Sequence, residues 1–139
     1  MSRRKGRILA FQGLYSWDAG GMTKEDVLTL SWTEDESEEA LSMETSTFAR
    51  VLIAGAIENQ EKIDSLIKEN LKGWEFERVN KVSLAILRMS VYALLFQKDI
   101  PSTIVIDEAI DIAKEYGQDD AFKFVNAVLD NIRKNSPQE

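Results

Sequence analysis

At 139 residues the chain is the size of one ordinary domain; 44% of it is apolar, and its 7 Gly and 2 Pro suit a helical fold better than a turn-rich all-β one. It has no cysteine and no histidine, which excludes disulfides, thiolate chemistry, most nucleophilic triads and ordinary zinc sites. The net charge is −7, yet residues 1–17 contribute +4 through Arg3, Arg4, Lys5 and Arg7 and leave −11 for the remainder, a balance that points to a local polyanion contact rather than a diffuse one.

The periodicity predicts a first helix over Ser2 to Trp17, with Ile8, Phe11 and Tyr15 on one stripe and Leu14 beside it. The basic cluster falls in its first turns and is expected to project mostly away from that stripe. Cations there meet the positive end of the helix dipole, at a cost of roughly a few tenths of a kcal/mol each. Two readings stand: a seat for an arriving anion, or a frayed and solvated terminus. The first requires that these side chains be neither tucked among the other helices nor held by the protein's own carboxylates when that anion is present.

Asp18-Ala19-Gly20-Gly21 reads as a loop, and Met22-Thr23-Lys24-Glu25-Asp26 as the staple and cap of a short second helix carrying Val27, Leu28 and Leu30. Glu34 to Glu44 holds six acids and no base, the composition of an exposed linker. Thr45 to Leu71 keeps one helical period through Phe48, Val51, Leu52, Gly55, Ile63, Leu66 and Ile67; Gly55 suits a close helix crossing. Gly73 ends that helix, and Trp74 to Arg78 forms a short turn. Val79 to Gln97 is apolar nearly all round, the mark of a central buried helix, and its Arg88 must reach a carboxylate or an edge of the bundle.

Asp99 to Asp130 reads as two amphipathic helices joined at a tight corner. Pro101 fits a first helical turn, and Ile106, Ala109, Ile110, Ala113 and Tyr116 keep the period. Gly117 fits a C′ position with positive φ. Asp119 and Asp120 are placed to accept N–H groups at the next N-terminus, and Phe122, Val125, Leu129 and Ile132 form its stripe, widened by Phe124 and Val128. The fold class expected is all-α: one domain, 1–139, of six to seven helices. The longest apolar run, Val82 to Phe96, carries Arg88 and falls short of the roughly 18 residues that span a bilayer. No apolar segment follows the basic start, so the expected location is cytoplasmic.

No phosphate-binding glycine loop and no Ser/Cys/His constellation is present. Asp107, Glu108, Asp111 and Glu115 form a dense carboxylate group, but a carboxylate metal site in a bundle normally adds Glu-x-x-His partners, so a solvated face is expected. No catalytic residue, metal site or cofactor is expected. Lys123 and Phe124 pair a cation with an aromatic at the last corner, suited to an RNA phosphate and a base face. Asn126 lies beside the apolar stripe, where it can satisfy a buried backbone group or hold the corner. Phe124, Tyr15 and Trp17 each also have a core reading.

The stretches RRKGRILAFQGLYSW, KVSLAILRMSVYALL and DIPSTIVIDEAIDIAKEYGQDDAFKFVNAVLD resemble, in that order, the bacterial transcription antitermination factor NusB family, over nearly the whole chain and least from Gly20 to Glu44. The resemblance implies two packed helical sub-bundles and a non-enzymatic RNA-binding adaptor. It implies pairing with NusE, a small-subunit ribosomal protein, binding of single-stranded boxA RNA, and action within an RNA polymerase antitermination complex. It implies RNA contacts at Arg3, Arg4, Lys5, Arg7, Asp120, Lys123 and Phe124, and partner contacts at Tyr15, Glu75, Glu77 and Arg78. Here the basic motif is short and broken by Gly6, and Ser83 and Ala93 stand where relatives often carry acids. Two alternatives are a structural homo-oligomer and a relative of the NusB-like domain of RNA cytosine methyltransferases, though the cofactor domain and nucleophilic cysteine of those enzymes are absent from this sequence. Whether the chain forms a homodimer stays open.

Overall fold

The computed structural model describes residues 3–33 and 42–135. Among these, the chain forms seven α-helices and no strand: α1 (Arg3–Asp18), α2 (Lys24–Thr29), α3 (Met43–Glu58), α4 (Gln60–Glu69), α5 (Lys81–Phe96), α6 (Ser102–Tyr116) and α7 (Ala121–Asn135), with a 3₁₀ turn at Phe76–Arg78 before α5. No described helix is long and apolar enough to cross a membrane.

α5 is the axis. It is buried on nearly every side and packs on α1 and α3 on one flank and on α4, α6 and α7 on the other, which divides the fold into two sub-bundles sharing one apolar core. Its first turn is closed by Asn80, whose Oδ1 accepts from the N–H groups of Val82 and Ser83 at 2.9 and 3.2 Å. Arg88, 4% exposed, finds its carboxylate as expected. It donates from Nε and Nη2 to Asp64 of α4, both at 2.9 Å, and its Nη1 lies 3.0 Å from Asp18 at the end of α1. One buried cation thus ties three helices together.

The continuous helix expected over Thr45 to Leu71 is two helices. Asn59 breaks it with φ −110° and ψ 24°, while its Nδ2 donates back to the carbonyl of Gly55 at 2.8 Å. Asparagine favours such local bonds over the helical ladder. Gly55 does mark a close crossing: a Cβ there would stand 2.2 Å from the Tyr92 ring of α5. α3 starts at Met43, capped by Ser42, so Glu44 is helical rather than linker; residues 34–41, the rest of the expected acidic linker, lie outside the described residues, as does Ser2. The short second helix forms as expected, with Thr23 Oγ1 accepting from the N–H of Asp26 at 3.1 Å.

The corner between α6 and α7 is real, but its chemistry differs from expectation. Pro101 caps α6 from outside, with ψ 139°, instead of entering its first turn. Gly117 has φ −88°, so it is not a left-handed residue. A Cβ there would sit 2.7 Å from the Ala113 carbonyl oxygen, so close backbone approach is what calls for glycine. The start of α7 is held by main-chain carbonyls: Gln118 accepts from the N–H of Ala121 and Asp120 from that of Lys123, at 2.7 and 2.9 Å. The positive φ falls on Asp119, at 21°.

Candidate nucleic-acid interface

The tip of α1 departs most from the sequence expectation. Arg7 does not project away from the apolar stripe; it is only 7% exposed. The reason is spacing, because Arg7, Phe11 and Leu14 fall at i, i+4 and i+7 and share the buried face. Its guanidinium lies over the Phe48 ring of α3, 5.4 Å from the centroid, and 3.9 Å from Glu108. Burial pulls its pKa below the ordinary arginine value, against the opposing pull of Glu108. Arg3 covers the same ring at 5.1 Å but remains exposed. Gly6 is required beneath them, since a Cβ would stand 2.7 Å from Phe48.

Arg4 is exposed yet engaged. Its Nε donates to Glu108 Oε1 at 2.5 Å, and its Nη2 donates to Glu108 Oε2 and Asp111 Oδ2, both at 3.1 Å. The hydrogen bond from Arg4 is the main cause holding the Glu108 carboxyl below its ordinary range. The carboxylate face of α6 is therefore partly an ion-pair seat for α1 and not a wholly solvated surface.

Two grooves hold several of the other candidate residues. One, of about 640 Å³, includes Lys5, Gln12 and Tyr15 of α1, Trp32, Val82 of α5 and Tyr116 of α6. The other, of about 290 Å³, includes Trp74, Arg78, Asn80, Ser83 of α5, Asp119, Asp120 and Phe124. Val82 and Ser83 are neighbours, as are Tyr116 and the 118–121 corner, so the grooves flank one edge formed by the start of α5 and the α6–α7 corner. Lys5 and Tyr15 thus line the groove on one side of that edge, and Arg78, Asp120 and Phe124 the groove on the other.

Lys123 is exposed, with its Nζ 3.9 Å from Asp120. Glu77 and Arg78 on the 3₁₀ turn and Glu75 just before it are all exposed, and Arg78 lies 3.4 Å from Glu75. Asn126 is exposed, so it serves no buried backbone group. Phe124 is part-buried and meets Trp74 edge-on, with ring centroids 5.3 Å apart. Trp74, 61% exposed, is the aromatic that sequence reasoning passed over. The available signal was Gly73, whose φ of 98° turns the chain just before it. Ser83 and Ala93 are both buried, so neither offers a surface charge to a partner.

Fold and site together define a class: an all-α protein that, among its described residues, presents charged and aromatic edges and no catalytic constellation. The NusB family model matches residues 4–134, and the chain belongs to the NusB family. It is 50% identical over 136 residues to the transcription antitermination protein NusB of Treponema denticola, covering 98% of each chain. It is 41% identical over 133 residues to that of Bacillus cereus, covering 96% of this chain and 98% of the relative. Among solved structures it superposes on T. maritima NusB with a TM-score of 0.83 at 35% identity, covering 97% of this chain and 92% of that one. It also superposes, with a TM-score of 0.78 at 29% identity, on a crystal structure of antitermination factors NusB and NusE in complex with dsRNA, covering 96% and 97%.

Proposed function

We propose that this chain, acting as one domain over residues 1–139, is a non-enzymatic RNA-binding adaptor of transcription antitermination in the cytoplasm. With the small-subunit ribosomal protein NusE it binds single-stranded boxA RNA on nascent ribosomal transcripts and helps RNA polymerase pass terminators. The names of its relatives and the solved NusB–NusE–dsRNA complex support this reading. The observation that carries it is the single edge flanked by two grooves, where residues distant in sequence converge.

In this reading Arg3, Arg4, Lys5 and Lys123 take phosphates, and Arg7 seats the tip of α1 instead of touching RNA. Phe124 offers a ring to an unstacked base, and the Asp120 carboxylate accepts from a base amino group. Single strands expose those base edges, whereas an RNA duplex hides them in a deep major groove. Tyr15, Glu75, Glu77 and Arg78 meet the protein partner. The acidic body suits a basic ribosomal protein, which adds the positive charge that this chain lacks.

Four phosphate contacts at about 0.7 each give a log–log salt slope no steeper than about −3 for a single strand. A titration of boxA RNA at several salt concentrations reads that slope. Arg3→Ala is expected to flatten it by about 0.7. A slope near zero in the wild type overturns the phosphate assignment.

A further inference from the structure

The guanidinium of Arg4 is already occupied. Glu108 and Asp111 stand one turn apart on α6 and hold it from one side, Glu108 by two hydrogen bonds and Asp111 by one. The Nε–Nη2 edge of its fork is taken, so a phosphate that needs that edge must displace the carboxylates, and their charge opposes one that approaches Nη1 alone. Arg7 sits behind, its Nη1 3.9 Å from the same Glu108. The cluster is open to water: the Arg4 and Asp111 side chains are about half exposed. An exposed pair of this kind adds little to folding and opens readily.

We infer that Glu108 and Asp111 are an internal latch, a built-in competitor that holds Arg4 in the place a phosphate would take. The inference rests on the RNA-binding reading above and deepens it. RNA must exchange one set of charge-assisted bonds for another at Arg4, so that contact adds less affinity than its charge suggests. The chain alone is thereby held to weak binding, and a tight complex depends on contacts made elsewhere.

The test compares two variants of equal charge in the full-length chain. Glu108→Gln with Asp111→Asn opens the latch. Asp107→Asn with Glu115→Gln removes two carboxylates from the same helix, neither of which bonds to Arg4. Each is titrated with a short fluorescein-labelled single-stranded boxA RNA between about 0.05 and 0.2 M salt, with and without the ribosomal partner. The latch variant is expected to bind more tightly than the control, with a slope steeper by about 0.7, so that its advantage shrinks about 2.6-fold over that range. Adding Arg4→Ala should remove the gain. The Arg4 Nε–Hε NMR signal, which reports its bond to Glu108, should shift when RNA is added to the wild type.

Equal slopes in the two variants, a gain that survives Arg4→Ala, or an Arg4 signal that RNA leaves in place each overturn the latch while leaving RNA binding intact. Failure of every chain to bind RNA, with the partner present, overturns the RNA reading and the latch together.

Discussion

Replacing Arg7 by alanine separates a seating role from an RNA role. Arg7 is 7% exposed and its guanidinium lies over Phe48 at 5.4 Å, so truncation removes a largely desolvated cation–π contact and the packing of the aliphatic stem. The ion pair with Glu108, at 3.9 Å, is loose and adds little. Together these give a loss of about 1–2 kcal/mol. At about 2.1 cal/mol/K per residue, the unfolding entropy of this chain is roughly 290 cal/mol/K, so Tm should fall by about 3–7 °C. Arg7→Met keeps the volume without the charge and should recover most of that loss, because a well-packed apolar replacement of a buried ion is often neutral. Calorimetry reads the Tm, and RNA titration of the same variants should show a salt slope within about 0.2 of the wild type. An Arg7→Ala chain with unchanged Tm and a slope flattened by about 0.7 would refute the seating of α1 described here.

Other sites give independent checks. Gly55→Ala forces a methyl group into the Tyr92 ring and should cost about 1–3 kcal/mol in urea unfolding; full stability would mean that α3 and α5 do not cross there. Asp64→Ala strips the bidentate partner from buried Arg88 and should cost about 3–5 kcal/mol, softened if Asp18 closes in, whereas a cost under about 1 kcal/mol would contradict the three-helix tie. Glu108 has a folded-state pKa below its unfolded value, so its contribution is present above the ordinary carboxylate range and lost as pH falls through the folded value. Thermal scans should therefore find wild type more stable than Glu108→Gln at neutral pH, with the gap closing below about pH 4.5. A gap that widens with acid would reverse the sign.

Much of the fold is readable from periodicity. α5 announces itself by being apolar all round, and α6 and α7 by their stripes and the glycine between them. The break at Asn59 is not readable, because the apolar period runs on from Ala56 to Ile63 without glycine or proline, and only a side-chain bond to Gly55 tips the balance. Arg7 was readable in principle: its spacing from Phe11 and Leu14 marks a core position, and its charge hides it. The acidic face of α6 shows the opposite failure. Its like-charged spacing suggests a solvated surface, and nothing local reveals that Arg4, more than a hundred residues earlier, docks there. The convergence of Lys5 and Tyr15 with Arg78, Asp120 and Phe124 on one edge is likewise a property of packing.

The measurement nearest the centre of this account is the affinity for boxA RNA with and without the ribosomal partner, taken at one fixed salt concentration near 0.15 M. On the proposed reading the chain alone makes few phosphate contacts, one of them latched, on an acidic body, so it should bind weakly and tighten by at least about tenfold, or 1.4 kcal/mol, when the partner is added. Equal affinity in the two titrations would contradict the account.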